Sequence, residues 1–274
     1  MTSEATTDGP RLSDADTAQV LQLLRKVDSV ELKVTVPVQS HRATVRGLPL
    51  DPVEAEPRQV FFFDTPDLAL DKAGVVVRAR RIQGGRADTV IKLRPVVPDQ
   101  LPVELRRNAA FNVELDALPG GFVVSGSLKG RSTGPEVRDA VNGKLSLRKV
   151  FSKEQRVFFT AHAPDRLKLD DLSILGPIFV LKSVFPADVT GSGVTGARRM
   201  VAEMWLYPDG SRILELSTKC LPREAFQVAT EVRSWLGSLG IDMTGGQATK
   251  TRTALTFFAA ELTAIAGEPA PADG

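Results

Sequence analysis

The chain has 274 residues, of which 42% are hydrophobic and 25% charged, with 35 Lys and Arg against 33 Asp and Glu. This is the composition of a folded protein with a sizeable core, and a formal net charge of +2 excludes nucleic-acid binding through bulk surface charge. A single cysteine, Cys220, excludes a disulfide framework and a cysteine zinc site, and no run of about 18 apolar residues offers a transmembrane helix.

The N-terminal MTSEATTDGP is polar and acidic, so no secretory leader is expected and a cytoplasmic location fits. Residues 1–12 read as a disordered arm and 267–274 as a disordered tail around one domain over 13–266. A helix over 14–26 is predicted, capped by Ser13, and then a strand at 29–37. In that strand Val30, Leu32, Val34 and Val36 alternate with Ser29, Glu31, Lys33 and Thr35. A short helix at 42–50, a strand at 58–64 and a helical piece from Pro66 to near Gly74 follow.

Strands are predicted at 75–82 and 87–95, joined by Gly84-Gly85. Arg78 and Arg80 share one face of the first, Lys92 and Arg94 one face of the second, and Val77, Ile91 and Leu93 lie opposite. Charges of one sign on one face predict a concave basic surface made by a sheet. The proline-rich stretch 96–121 carries no clear assignment. Strands are expected at 121–128, 145–160, 166–170, 177–185, 200–207 and 211–219, with a helix near 134–142 and a Pro208-Asp209-Gly210 turn. Helices from Pro222 to about Leu239 and from about Thr249 to Ala266 end the chain. Antiparallel strands with helices at the ends make an α+β domain.

The strand at 215–219 repeats the charged triplet of the first, with Glu215, Ser217 and Lys219 on one face. By the same parity Arg148, Arg156, Lys168 and Lys182 are further inward cations, and Asp170 and Glu203 further inward acids. Carboxylates so placed can ligate a hard divalent cation, and the cations can bind phosphate oxygens. The GSGVTG at 191–196 matches GxGxxG but lacks a βαβ frame, so it reads as a loop. His41 and His162 have no partner at ligand spacing, and Cys220 reads as a small buried hydrophobe.

SVELK at 29–33, FFDTPDLALDKAGVVVRAR at 62–80 and DTVIKLRP at 88–95 resemble the CYTH superfamily, the triphosphate tunnel metalloenzymes. The later RLKLDDLSILGPIFV and ELSTKCLPREAFQVATEV are similar to it more loosely. The resemblance implies an antiparallel eight-stranded β-tunnel with helices packed outside, and a small-molecule triphosphate or polyphosphate as partner, with Mg²⁺ or Mn²⁺. It implies hydrolysis of a phosphoanhydride rather than ATP cyclisation, with neither membrane nor nucleic acid as a partner. Glu31 and Lys33 would then be catalytic. Phosphate would meet Lys33, Arg78, Arg80, Lys92, Arg94, Arg148, Arg156, Lys182 and Lys219. Metal would fall to Glu31 with Asp170, Glu203 or Glu215, Glu114 being a further candidate. Ser29 stands where the family's ExExK motif has its first Glu, Ser217 marks a second absent acid, and 177–185 supplies Lys182 instead of Glu-x-Glu. Losing acids while keeping cations leaves two readings open beside hydrolysis: a polyphosphate-binding protein without turnover, and an adaptor whose basic groove takes acidic protein segments or nucleic acid.

Overall fold

The computed structural model describes residues 13–164, 166–189, 197–241, 243 and 250–267; the glycine-rich 191–196 lies outside them. Helix α1 (Asp14–Leu24) is capped by the Ser13 hydroxyl, which accepts from the Asp16 N–H. Strand β1 (Ser29–Val36), helix α2 (His41–Gly47), strand β2 (Glu56–Asp64) and the single turn α3 (Ala69–Lys72) follow. Strands β3 (Val75–Ile82) and β4 (Arg86–Leu93) form the expected hairpin.

Within the proline-rich stretch the chain makes helix α4 (Val103–Arg107) and a strand the sequence reading lacks, β5 (Phe111–Leu118). Then come β6 (Gly121–Thr133), α5 (Gly134–Val141), α6 (Lys153–His162), β7 (Ser173–Asp188), β8 (Ala197–Leu206), β9 (Arg212–Cys220), α7 (Ala225–Ser238) and α8 (Lys250–Gly267).

The strands close into a barrel in the order β1-β5-β6-β4-β3-β2-β7-β8-β9, and β9 pairs back onto β1. Eight antiparallel strands were expected, whereas nine are present among the described residues. An odd number of strands cannot alternate direction around a closed ring, so one neighbouring pair must run parallel. That pair is β1 and β5, with Ser29 opposite Glu114 and Glu31 opposite Asp116.

The apolar core lies outside the barrel wall. Val30, Val34, Phe61, Phe63, Val77, Ile91, Val113 and Leu115 face outward and join Val137, Phe151, Phe158, Phe159, Val228 and Leu236 of the surrounding helices. Burial of such side chains contributes about 1.5–3 kcal/mol each. Because successive strand residues point to opposite sides, the same strands must turn Glu31, Lys33, Arg78, Arg80, Lys92, Glu114 and Asp116 inward.

The FFDTPDLALDKAG stretch has a structural task. Asp64 is buried and accepts the N–H groups of Thr65 at 2.7 Å, Leu70 at 2.8 Å and Asp71 at 3.0 Å, which fixes the entry into α3. Gly74 ends that turn at φ +73, where a Cβ would lie 2.8 Å from the Arg94 carbonyl oxygen. These contacts set where β3 begins, and so which way Arg78 and Arg80 point.

Two expected strands are absent. Residues 145–160 form a 3-10 turn over Leu147–Lys149 and then α6, whose capping box joins Ser152 and Gln155. Gln155 is fully buried and ties α6 to the wall, accepting from Thr89 Oγ1 at 2.8 Å and donating to the Leu128 carbonyl at 3.1 Å. Residues 166–170 likewise form a turn, with a 3-10 segment over Leu169–Asp171.

One helix departs from the expected outer shell. Ala254, Leu255 and Phe258 of α8 pack on Val60, Phe62, Ile178, Val180, Trp205 and Tyr207. Val60 and Phe62 share strand parity with Arg58, Val180 with Lys182, and Trp205 with Glu203, all inward positions. The α8 helix therefore fills one end of the barrel from within.

Candidate functional site

The barrel interior holds three groups of charge. The first centres on Glu31, Glu114 and Asp116, whose carboxylate oxygens lie within 4.8 Å of one another. Parallel pairing puts Ser29-x-Glu31 beside Glu114-x-Asp116. The Ser29 hydroxyl donates to Glu114 Oε2 at 3.2 Å and accepts from Asn112 Nδ2 at 3.2 Å. The neighbouring strand thus supplies a carboxylate beside the position where the ExExK pattern expects its first acid.

Cations surround these acids. Lys33 Nζ lies 2.8 Å from Asp116 and 3.0 Å from Glu31. Lys92 reaches Asp116 at 3.2 Å, Arg94 reaches it at 3.8 Å, and Lys219 pairs with Glu114 and stands 3.9 Å from Glu31. Asp116 is fully buried; burial opposes its charge, but Lys92 and Lys33 outweigh that and hold its carboxyl well below the usual range. For Lys33, burial is likewise outweighed, here by Asp116 and Glu31, and its pKa rises. Lys92 goes the other way: burial dominates, with Lys33 and Arg94 adding to it.

The second group is the basic face of β2, β3 and β7. Arg80 forks onto Asp88, through Nε at 2.9 Å and Nη2 at 2.7 Å, and Arg58 pairs with Glu56. Lys182 sits opposite Glu203 in the strand register, and burial followed by Arg58 pushes its pKa down. Arg78 stands apart. It forms no ion pair or hydrogen bond among the described residues, and its buried Nε has no acceptor. Burial first, and then the adjacent Arg80, push its pKa down to about 10.

In the third group Lys250, the first residue of α8, pairs with Glu203 and, at 2.7 Å, with Glu215. Its ammonium stands 5.0 Å from the Trp205 ring centroid, and Trp205 Nε1 donates to Glu203 at 3.2 Å.

Four residues expected to point inward lie elsewhere. Arg148 is on the outer 3-10 turn, 66% exposed, and its Nε is 3.9 Å from Asp170. Asp170 itself accepts from Ser146 and the Arg148 N–H on that surface. Arg156 is on α6 outside the wall and donates to the Arg148 carbonyl. Lys168 is on the outer turn too, its backbone N–H bonded to Asp171. All four were assigned inward by extending strand parity into segments that are helix or turn. Asp116 and Lys250 were missing from the sequence reading. Asp116 follows the alternation Glu114-x-Asp116 once β5 is recognised, whereas nothing local marks Lys250. His41 and Cys220 are buried, the latter with its thiol pushed up to about 11, chiefly by burial.

No protein-family model matches the chain, and no curated protein matches it in sequence. Solved structures do share its fold. A candidate adenylyl cyclase from Hippeastrum, described as having a dominant triphosphatase activity, superposes with a TM-score of 0.61 at 14% identity, over 83% of this chain and 95% of that one. A candidate adenylate cyclase from Bacillus halodurans gives 0.55 at 12% identity, over 82% and 97%. The chain therefore shares the barrel fold of these two proteins.

Proposed function

We propose that this protein hydrolyses a triphosphate or a related phosphoanhydride inside its barrel, with a divalent cation. One observation carries the reading: Arg78, half-buried, with its Nε buried and unbonded and its guanidinium in no ion pair among the described residues, faces the same interior as a cluster of three carboxylates. An unpaired buried charge is costly, and an anion relieves it. A phosphate chain offers many negative oxygens to Arg78, Lys33, Lys92, Arg94, Lys182 and Lys219. The fold neighbour described as a triphosphatase supports the same direction.

The donor set suits Mg²⁺ or Mn²⁺, since Glu31, Glu114 and Asp116 present hard oxygen ligands in one place. A divalent cation held there supplies Lewis-acid charge at phosphate oxygens. The chain's own contribution is positioning. Arg78 and Arg80 on β3, Lys92 on the neighbouring β4 and Lys33 on β1 neutralise charge that develops on the phosphoryl oxygens during in-line displacement.

The test is phosphate release from tripolyphosphate with Mg²⁺ or Mn²⁺, for the wild type and Glu31→Gln. Turnover that depends on the cation and falls at least about 100-fold in the variant is expected, on the scale of lost electrostatic stabilisation. A second reading, binding without turnover, is favoured by the fact that Asp116 is already paired to Lys33 and Lys92. It predicts a tripolyphosphate-induced thermal shift that survives EDTA, with no phosphate released under either cation.

A further inference from the structure

Glu203 and Glu215 are direct partners in the β8–β9 register, and both point into the barrel. Two facing carboxylates of this kind would attract a divalent cation. Here an ammonium group stands between them. Lys250 Nζ bonds to Glu203 and to Glu215 Oε1, while the face of Trp205 lies 5.0 Å away. The other end of the residue is fixed as well, because its carbonyl accepts the Tyr207 hydroxyl at 3.0 Å. Ala254, Leu255 and Phe258 then anchor the helix that delivers it.

The two acidic groups differ in how readily their cation can be exchanged. In the first group Lys33, 12% exposed, stays on Glu31 and Asp116, but the ammonium on Glu114 is Lys219, whose side chain is 53% exposed and can swing into water. Lys250 is 17% exposed, and its backbone is held at the start of α8 by the Tyr207 hydroxyl. A divalent cation must displace this two-carboxylate ammonium pair to enter, and a hydrated Mg²⁺, reluctant to shed its water, competes poorly for such a place.

We infer that Lys250 is a built-in replacement for a second divalent cation, so that the barrel takes a single metal ion at Glu31, Glu114 and Asp116. This rests on the reading of those three residues as a metal site. The experiment is a Mn²⁺ titration of the full chain followed by electron paramagnetic resonance of free Mn²⁺, without substrate. About one tight Mn²⁺ per chain is expected for the wild type and for Lys250→Arg, and about two for Lys250→Met. The double variant Lys250→Met, Glu203→Gln should return to about one. Two tight ions in the wild type, or no gain in Lys250→Met with its fold verified by circular dichroism, overturns the inference. If Lys250→Met does not fold, the wild-type and Lys250→Arg stoichiometries decide: one ion in each upholds the inference, and a second in either overturns it. No ion in the wild type but one in Lys250→Met, lost again in the double variant, leaves the role of Lys250 standing. That result removes instead the assignment of the metal to Glu31, Glu114 and Asp116.

Discussion

Replacing Arg78 with methionine should make the ligand-free protein more stable and its complex with tripolyphosphate weaker. Methionine fills similar space without a charge. In the fold the guanidinium's pKa is pushed from 12.5 down to about 10, through burial and then Arg80. Each pKa unit is about 1.36 kcal/mol, so holding the charge inside costs about 3 kcal/mol relative to the unfolded chain. Arg78 is only half-buried, so solvent screening reduces this to about 1–2 kcal/mol. Some packing of the aliphatic stem is kept by methionine. For a chain of this size Arg78→Met should raise Tm by roughly 2–6 °C. The shift produced by saturating tripolyphosphate should shrink, because loss of a charge-assisted contact worth about 2–3 kcal/mol weakens affinity about 30- to 150-fold. Differential scanning fluorimetry with and without tripolyphosphate reads both effects. A variant with lower Tm when ligand-free and an undiminished ligand shift would refute the reasoning, since Arg78 would then be a satisfied structural residue.

Asp116→Asn should act in the opposite direction. It removes the counter-charge of Lys33, Lys92 and Arg94 together, and stripping one partner from a buried pair costs about 3–5 kcal/mol. Urea unfolding should show that loss, and a midpoint within error of wild type would speak against a buried charge network. Acid stability follows from Asp116 and Glu203, whose carboxyls lie below their ordinary values because cations outweigh the effect of burial. Depressed acids contribute stability that is complete above the ordinary carboxylate range, near pH 4, and is lost as pH falls through their folded values. Tm should therefore change little between about pH 7 and 5 and fall steeply below about pH 4. A steep fall already between pH 7 and 5 would contradict the assignment of these carboxylates as charged and paired.

Alternation made the barrel wall legible wherever one strand carried both an apolar and a charged face. In β1, β3 and β4 the apolar set Val30, Val34, Val77 and Ile91 is buried outside, and Glu31, Lys33, Arg78, Arg80 and Lys92 fall inside by the same period. The rule failed where its premise did. Residues 145–160 hold the Ser152–Gln155 capping box and buried Phe151, Gln155, Phe158 and Phe159 at helical spacing, so the period there was nearer 3.6 than 2. Arg148 and Arg156 were misplaced in consequence. Strand β5 was hidden by prolines before it and by acids at inward positions, which in an ordinary sheet would mark an exposed face. Nor did local sequence give away the place of α8. Its apolar residues Leu255, Phe257, Phe258 and Leu262 suit a helix packed on either side of a wall; its packing on inward-facing Val60, Phe62 and Trp205 and the pairing of Lys250 with Glu203 and Glu215 locate it.

For the protein to act as proposed, cation and phosphate must meet inside the barrel. A crystal grown with Mn²⁺ and a non-hydrolysable imidotriphosphate reads this directly through the anomalous signal of manganese. The predicted result is a manganese peak among Glu31, Glu114 and Asp116, with phosphate oxygens on Arg78 and Lys33. An empty barrel with manganese and phosphates only on the outer surface would contradict it.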